Sequence, residues 1–301
     1  MCMRKMKKVK YGIILAGAAV LSAAALSACS AKAEASADHT AKETTSADGT
    51  ATETVSGEKK TIRYGKSQGP YTELFEAAVV PILEQEGYTV EGTDFSDLLT
   101  ADVALNDGDV DVNVEQHTAY LENFNSSYNG DLTPISPIPT VPAGIYSSTH
   151  TSLDEIKKGA KIAVPNDASN TARAYALLQK AGWIRLNDQT ELSKVTQDDI
   201  TENPYGIEFT EMNSLTIPNA MEDFDYVVIT GSIVYNAGID PSSALLNEDI
   251  LEPLILQVVV KKENAQADWA KAIADAYHSD AFKEYMKEHN DGLWYVPEEL
   301  Q

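Results

Sequence analysis

From residue 61 onward, short apolar runs alternate with stretches of helical periodicity, the pattern of an α/β fold. Residues 61–64 read as a strand. A helix is predicted over 72–85, with Leu74, Phe75, Ala78 and Ile82 on one side and a kink at Pro81, whose ring removes an amide donor. Val110, Val112 and Val114 alternate with Asp109, Asp111 and Asn113, which predicts a strand with one buried face and one polar face. A third strand is expected over 161–164, followed by a helix over 170–180 that Gly182 closes. The runs 225–230 and 254–260 are apolar enough to be strands covered by helices on both faces. Trp269, Ile273 and Tyr277 recur every four residues and are assigned to a helix core. Pro134, Pro137, Pro139 and Pro142 disfavour helix and predict an extended crossing, read as a hinge between two lobes.

The first 60 residues have a different texture. Arg4, Lys5, Lys7, Lys8 and Lys10 precede an uncharged stretch over 11–26, and the run Leu26-Ser27-Ala28-Cys29 ends it, so residues 1–28 read as a secretory signal. The uncharged stretch is short of the roughly 20 residues a spanning helix needs. Small residues before a cysteine resemble a lipoprotein cleavage site, which makes Cys29 the expected lipidated residue and the extracytoplasmic face of the cell membrane the expected location. Residues 30–58 lack aromatics and consist mainly of Ala, Thr, Ser, Glu, Lys and Gly, the composition of a flexible tether. The expected organisation is therefore signal (1–28), lipidated Cys and linker (29–60), a first lobe of 61–143 plus 247–301, and a second lobe of 144–246.

Cysteine and charge narrow the function. Only Cys2 and Cys29 are present, and Cys2 leaves with the signal, so neither a disulfide nor a thiolate metal site is expected. Taking the five signal cations from 23 leaves 18 Lys and Arg against 46 Asp and Glu, a formal charge of −28. Nucleic acid and anionic lipid surfaces would be repelled by that field.

Three motifs tempt and fail. Residues 65–69 match Gly-x-Ser-x-Gly between a strand and a helix, but a nucleophile elbow follows several earlier strands and this is the first. A secreted hydrolase using Ser67 is thus a distant alternative. Asp107-Gly108-Asp109-Val110-Asp111 has no register with Gly at position six and Glu at position twelve of a calcium loop. The five histidines show no metal-ligand spacing, and neither a metal nor a cofactor is expected.

Residues 104–121 (Ala-Leu-Asn-Asp-Gly-Asp-Val-Asp-Val-Asn-Val-Glu-Gln-His-Thr-Ala-Tyr-Leu), 162–173 (Ile-Ala-Val-Pro-Asn-Asp-Ala-Ser-Asn-Thr-Ala-Arg) and Glu202-Asn203-Pro204 together resemble the methionine-binding lipoproteins of the MetQ/NlpA family, which serve ABC importers. The resemblance implies a type II periplasmic-binding fold: two α/β lobes, two crossovers, and a ligand cleft between them. The second crossover falls near Pro241 to Pro253. Also implied are a small amino-acid-type ligand, an ABC permease and ATPase as partners, and no catalysis. By the same resemblance Arg173 holds the ligand carboxylate, a role that suits a planar guanidinium. It is expected in the first turn of the helix opening at Asn170, where free amides also favour an anion. His117 and Tyr120 are further implied contacts, with Ala119 where the family has proline.

Four positions depart from the family. Glu115 stands for a phenylalanine, Leu98 and Val141 for tyrosines, and Thr230 for the asparagine that helps hold the ligand's amino end. A carboxylate facing the cleft is costly unless it meets a cation or donor. The expectation is a pocket that keeps the carboxylate anchor yet accepts another amino acid or a short peptide with an extra amino group. A lipoprotein of this fold serving as an adhesin or sensor is the remaining alternative.

Overall fold

The computed structural model describes residues 61–67, 69–290 and 292–301. The signal, Cys29 and the linker lie outside the described residues. The first lobe begins with β1 (Thr61–Lys66), α1 (Pro70–Leu74), α2 (Val80–Gln85), β2 (Thr89–Asp94), α3 (Leu98–Asp107), β3 (Val112–His117), α4 (Thr118–Tyr128) and β4 (Leu132–Pro137). Five residues of π-helix, Phe75–Val79, join α1 to α2. The predicted kink at Pro81 is this widened turn: Val80 N–H bonds back to the Phe75 carbonyl, five residues away, which opens the helix where proline cannot donate. One extra residue in the turn shifts the buried face, so Leu83 rather than Ile82 is fully buried.

The second lobe follows as β5 (Gly144–Tyr146), β6 (Lys161–Pro165), α5 (Ala168–Lys180), β7 (Arg185–Leu186), β8 (Ile200–Glu202), β9 (Glu208–Met212), α6 (Ile217–Ala220), β10 (Tyr226–Ile229), α7 (Gly231–Asn236) and β11 (Leu246–Asn247). The chain then returns to the first sheet through β12 (Leu256–Lys261) and ends in α8 (Asp268–His278) and α9 (Asp280–His289), which pack on that lobe. The sheets run β2-β1-β3-β12-β4 and β11-β5-β10-β6-β9, with β7 and β8 as a separate pair. In each, three neighbouring strands are parallel and two edge-side pairings are antiparallel.

Each lobe has its own apolar core. Ile62, Phe75, Val112, Val114, Val258 and Ile273 centre the first; Ile162, Val164, Tyr175, Leu178, Tyr226 and Val228 centre the second. Two stretches, 138–143 and 248–255, join the sheets. The first follows β4, an edge strand that accommodates Pro134 and Pro137 because its outer amides need no partner. The proline-rich segment is therefore half strand and only then crossing. Asn247 pairs with Gly144 and belongs to the second sheet, so the return crossing starts at Glu248, one residue past the expected lobe boundary, and Pro241 lies before it in the second lobe.

The alternation at 109–114 is only partly what the structure shows. Asp109 is exposed, but Asp111 and Asn113 are buried, because β3 is the central strand of its sheet and α3 covers the face expected to be polar. Both residues are paired. Arg63 grips Asp111 through Nε (3.1 Å) and Nη2 (2.8 Å), and Asn113 Nδ2 donates to Asp102 Oδ1 at 2.8 Å. Burial without such partners would cost several kcal/mol, roughly 2–7 per group.

Candidate functional site: the cleft between the lobes

The parallel strands of both sheets end at the same crevice, where open α/β sheets bind their ligands. From the first lobe, β3 delivers Glu115, Gln116 and His117, and the start of α3 delivers Leu98. From the second, α5 brings Asn170 and Arg173, and the turn from β10 into α7 brings Thr230. A cavity of about 640 Å³ opens along this line and continues into an inner recess of about 60 Å³ at Arg173. The larger volume lies within the roughly 300–1,000 Å³ of small-molecule sites.

Arg173 lies in the second turn of α5, not the first. Asp167, rather than Asn170, caps the helix: its carboxylate accepts from Asn170 N–H at 3.0 Å, and helical geometry begins at Ala168. The guanidinium is 4% exposed and is held by Glu248, which accepts from Nε (2.7 Å to Oε2) and from Nη2. Glu248 also accepts from Ala143 N–H at 2.7 Å, so one carboxylate ties both crossings to α5. Burial alone would depress the Arg173 pKa, but the Glu248 charge outweighs it and the net shift is upward. Nη1 contacts Asn170 Oδ1 at 3.4 Å. The sequence carried no signal for Glu248 beyond its place in an acidic run near the expected crossing.

His117 joins the lobes. Its Nδ1 accepts from Tyr120 N–H at 3.1 Å and caps α4, so in the neutral ring the proton sits on Nε2 and is donated to Asn170 Oδ1 at 3.3 Å. Burial, and then the nearby Arg173 charge, push its pKa down to about 3. Asn170 Oδ1 thus receives both His117 and Arg173, and its Nδ2 donates to Asp167. Tyr120 stands edge-on to the His117 ring, with centroids 6.3 Å apart.

Glu115 faces the cleft. Its Oε1 accepts from the Thr72 hydroxyl and, at 3.4 Å, from Ser67 N–H. Burial raises its pKa against the pull of those two bonds. Leu98 and Thr230 also line the cavity. Val141 does not: its side chain packs in the first lobe's core, and it contributes backbone only, donating N–H to Tyr71 Oη at 3.1 Å and offering its carbonyl to Arg173. Tyr71, unremarked in the sequence, lines the recess, and burial pushes its phenol up to about 12.

Gly231 is required for this joint. A Cβ built there would lie 2.4 Å from Val141 Cγ1 and 2.8 Å from the Pro142 carbonyl, so even a methyl must displace the crossing. Gly231→Ala is expected to lower stability by about 1–3 kcal/mol, the usual cost of overpacking, in a denaturant titration.

Ser67 lines the cavity, but its surroundings are not those of a nucleophile. Of the four described histidines, His117 is engaged as above, His150 stacks on Tyr226 beside Glu155, His278 contacts Ser136, and His289 contacts the Tyr285 carbonyl. Among the described residues, no group of three His, Cys, Asp or Glu side chains is placed to hold a metal ion.

A sequence profile of the NlpA lipoprotein family matches residues 62–297. The D-methionine-binding lipoprotein MetQ of Salmonella typhi is 32% identical over 222 residues, covering 73% of this chain and 82% of that protein. Among solved structures, a nutrient binding protein from Burkholderia cenocepacia bound to methionine is 31% identical with a TM-score of 0.73, over 78% of this chain and 99% of that one. Lipoprotein Tp32 of Treponema pallidum is 27% identical with a TM-score of 0.74, over 80% of this chain and 100% of that one.

Proposed function

Because this chain belongs to the NlpA lipoprotein family, we propose that it is the substrate-capturing lipoprotein of an ABC importer, binding a small amino-acid-type ligand, methionine or a relative of it. The observation that carries this reading is the buried Arg173 at the inner end of a cleft between two α/β lobes. Its Nη1 offers a donor to a carboxylate in a site shielded from water, where charge-assisted bonds are strong. His117, kept neutral by burial, adds no second charge.

Capture needs no chemistry. Two lobes joined by two crossings can close by a hinge motion, and a ligand that contacts both lobes favours the closed arrangement by its differential affinity. The His117–Asn170 contact and the bond from Tyr235 to Glu73 are lobe-to-lobe contacts that such a motion would make and break. In this reading Cys29 carries the lipid, residues 30–58 form the tether, and a membrane permease with its ATPase receives the closed form.

The test is a thermal-shift screen of the full chain in detergent against the amino acids, both methionine enantiomers, methionine sulfoxide and methionine dipeptides. Ligand at a hundred times its dissociation constant stabilises by about 2.7 kcal/mol, a shift of several degrees. No shift with any amino acid or dipeptide would overturn the reading. Ser67→Ala is expected to change the affinity of the ligand so found by no more than a few-fold, since Ser67 meets Glu115 through its backbone amide. Esterase activity lost in that variant would favour the hydrolase instead.

A further inference from the structure

The acids around the cleft are not equivalent. Asp97 caps α3, accepting from Thr100 N–H at 2.8 Å, and Asp167 caps α5. A helix N-terminus offsets each of these charges. Glu248 is matched by Arg173. Of the three acids that line the cavity, Glu115 alone has neither a helix N-terminus nor a cation: it has one hydroxyl and one long amide contact, and no ion pair among the described residues. The residues lining the cavity and its recess include no lysine, and Arg173, the one arginine, is already neutralised. Burial of an unpaired carboxylate is unfavourable, so the site as built lacks a cation at this point.

A second acceptor lies next to it in the chain. Gln116 is 1% exposed and lines the same recess; its Nε2 donates to Asp102 Oδ1 at 2.6 Å, while its Oε1 has no hydrogen-bond partner among the described residues. Buried amide oxygens are nearly always satisfied, and an orphan at a ligand cavity marks a place for a donor. The cavity, about 640 Å³, is also lined by Leu98, Tyr120 and Ser232.

We propose that Glu115 is the specificity-determining residue of this cleft and selects a ligand that carries a protonated nitrogen besides its α-amino group. This rests on the capture function above and names its substrate class: basic amino acids, or short peptides whose second amine reaches the same carboxylate. The cationic group meets Glu115, and a donor of the ligand meets Gln116 Oε1. The ligand's surplus charge then meets the one uncompensated acid that lines the cavity.

The experiment is isothermal titration of the full chain in detergent, at pH 7.5 and low salt, with L-lysine, L-ornithine, L-arginine, glycyl-lysine and L-methionine, repeated on Glu115→Gln. At least one basic probe should bind ten-fold or more tighter than methionine. In the isosteric Glu115→Gln chain that preference should fall at least ten-fold. Free amino acids and glycyl-lysine separate the two sources of the cation. Methionine binding tighter than every basic probe in the unmutated protein would overturn this inference and leave the capture function standing. Equal affinity of a basic probe for both chains would overturn the role of Glu115. Failure of all probes, with the thermal-shift screen also silent, would sink the capture function itself.

Discussion

Arg173→Met is expected to lower the stability of the protein by about 3–5 kcal/mol and its ligand affinity by about 30-fold or more. The stability loss follows from Glu248. Its side chain is 5% exposed and pairs with Arg173, and removing one member of a buried ion pair strands the other charge. Replacing both members removes the stranded charge, so Arg173→Met with Glu248→Leu should recover part of the loss. About 1–3 kcal/mol should remain missing, because the Ala143 amide loses its acceptor. Ligand affinity should stay low in the double variant, since the loss of a charge-assisted contact is worth about 2 kcal/mol or more in binding. Urea titrations of the three proteins, followed by calorimetric binding with the ligand the screen identifies, separate the two roles. A double variant as unstable as the single one would mean that the pair does not act as a unit.

Acid should destabilise the protein through His117. Its folded pKa is about 3 against an ordinary 6.5, so between those values the unfolded chain binds a proton that the folded one does not. The contribution is fully present above pH 6.5 and is lost as pH falls toward 3, at about 1.4 kcal/mol per unit and about 5 kcal/mol in all. Asp102 and Glu115 oppose it, because burial raises their pKa values and folding then takes up protons. Total stability against pH would therefore blur the effect. His117→Asn isolates it: asparagine still caps α4 but does not titrate. The unfolding free energy of the unmutated protein should fall relative to that of the variant, steadily from pH 6.5 downward. A difference that stays flat from pH 7 to 4 would mean that the ring is protonated in the fold at no cost.

The strands of the second lobe were legible because apolar residues crowd into runs buried on both faces, and 161–164 and 225–230 needed no tertiary information. So was the stripe of Trp269, Ile273 and Tyr277, all buried in α8. The convergence of Leu98, Glu115, His117, Tyr120, Asn170, Arg173 and Thr230 on one cleft was legible only through family resemblance; spacing alone does not bring position 98 to position 230. Val141 was misplaced for a definable reason. A crossing strand near a pocket can offer either side chain or backbone, and here the side chain lies against Gly231 and packs in the first lobe's core, leaving the backbone to meet Tyr71 and Arg173.

By itself, the sequence determined what local physics decides: the strands at 61–64, 161–164 and 225–230, the helical stripe of Trp269, Ile273 and Tyr277, and the acidic composition. Periodicity and composition act over a few residues, so they survive without the fold. The tertiary structure alone decided which partner each polar group meets. Glu248 reaches Arg173 across 75 positions, Arg63 reaches Asp111 across 48, and Glu115 finds Thr72 rather than a cation. Those pairings depend on where the chain crosses between lobes and on which faces neighbouring helices cover. A buried charge takes its worth from the group opposite it, and the sequence does not place that group.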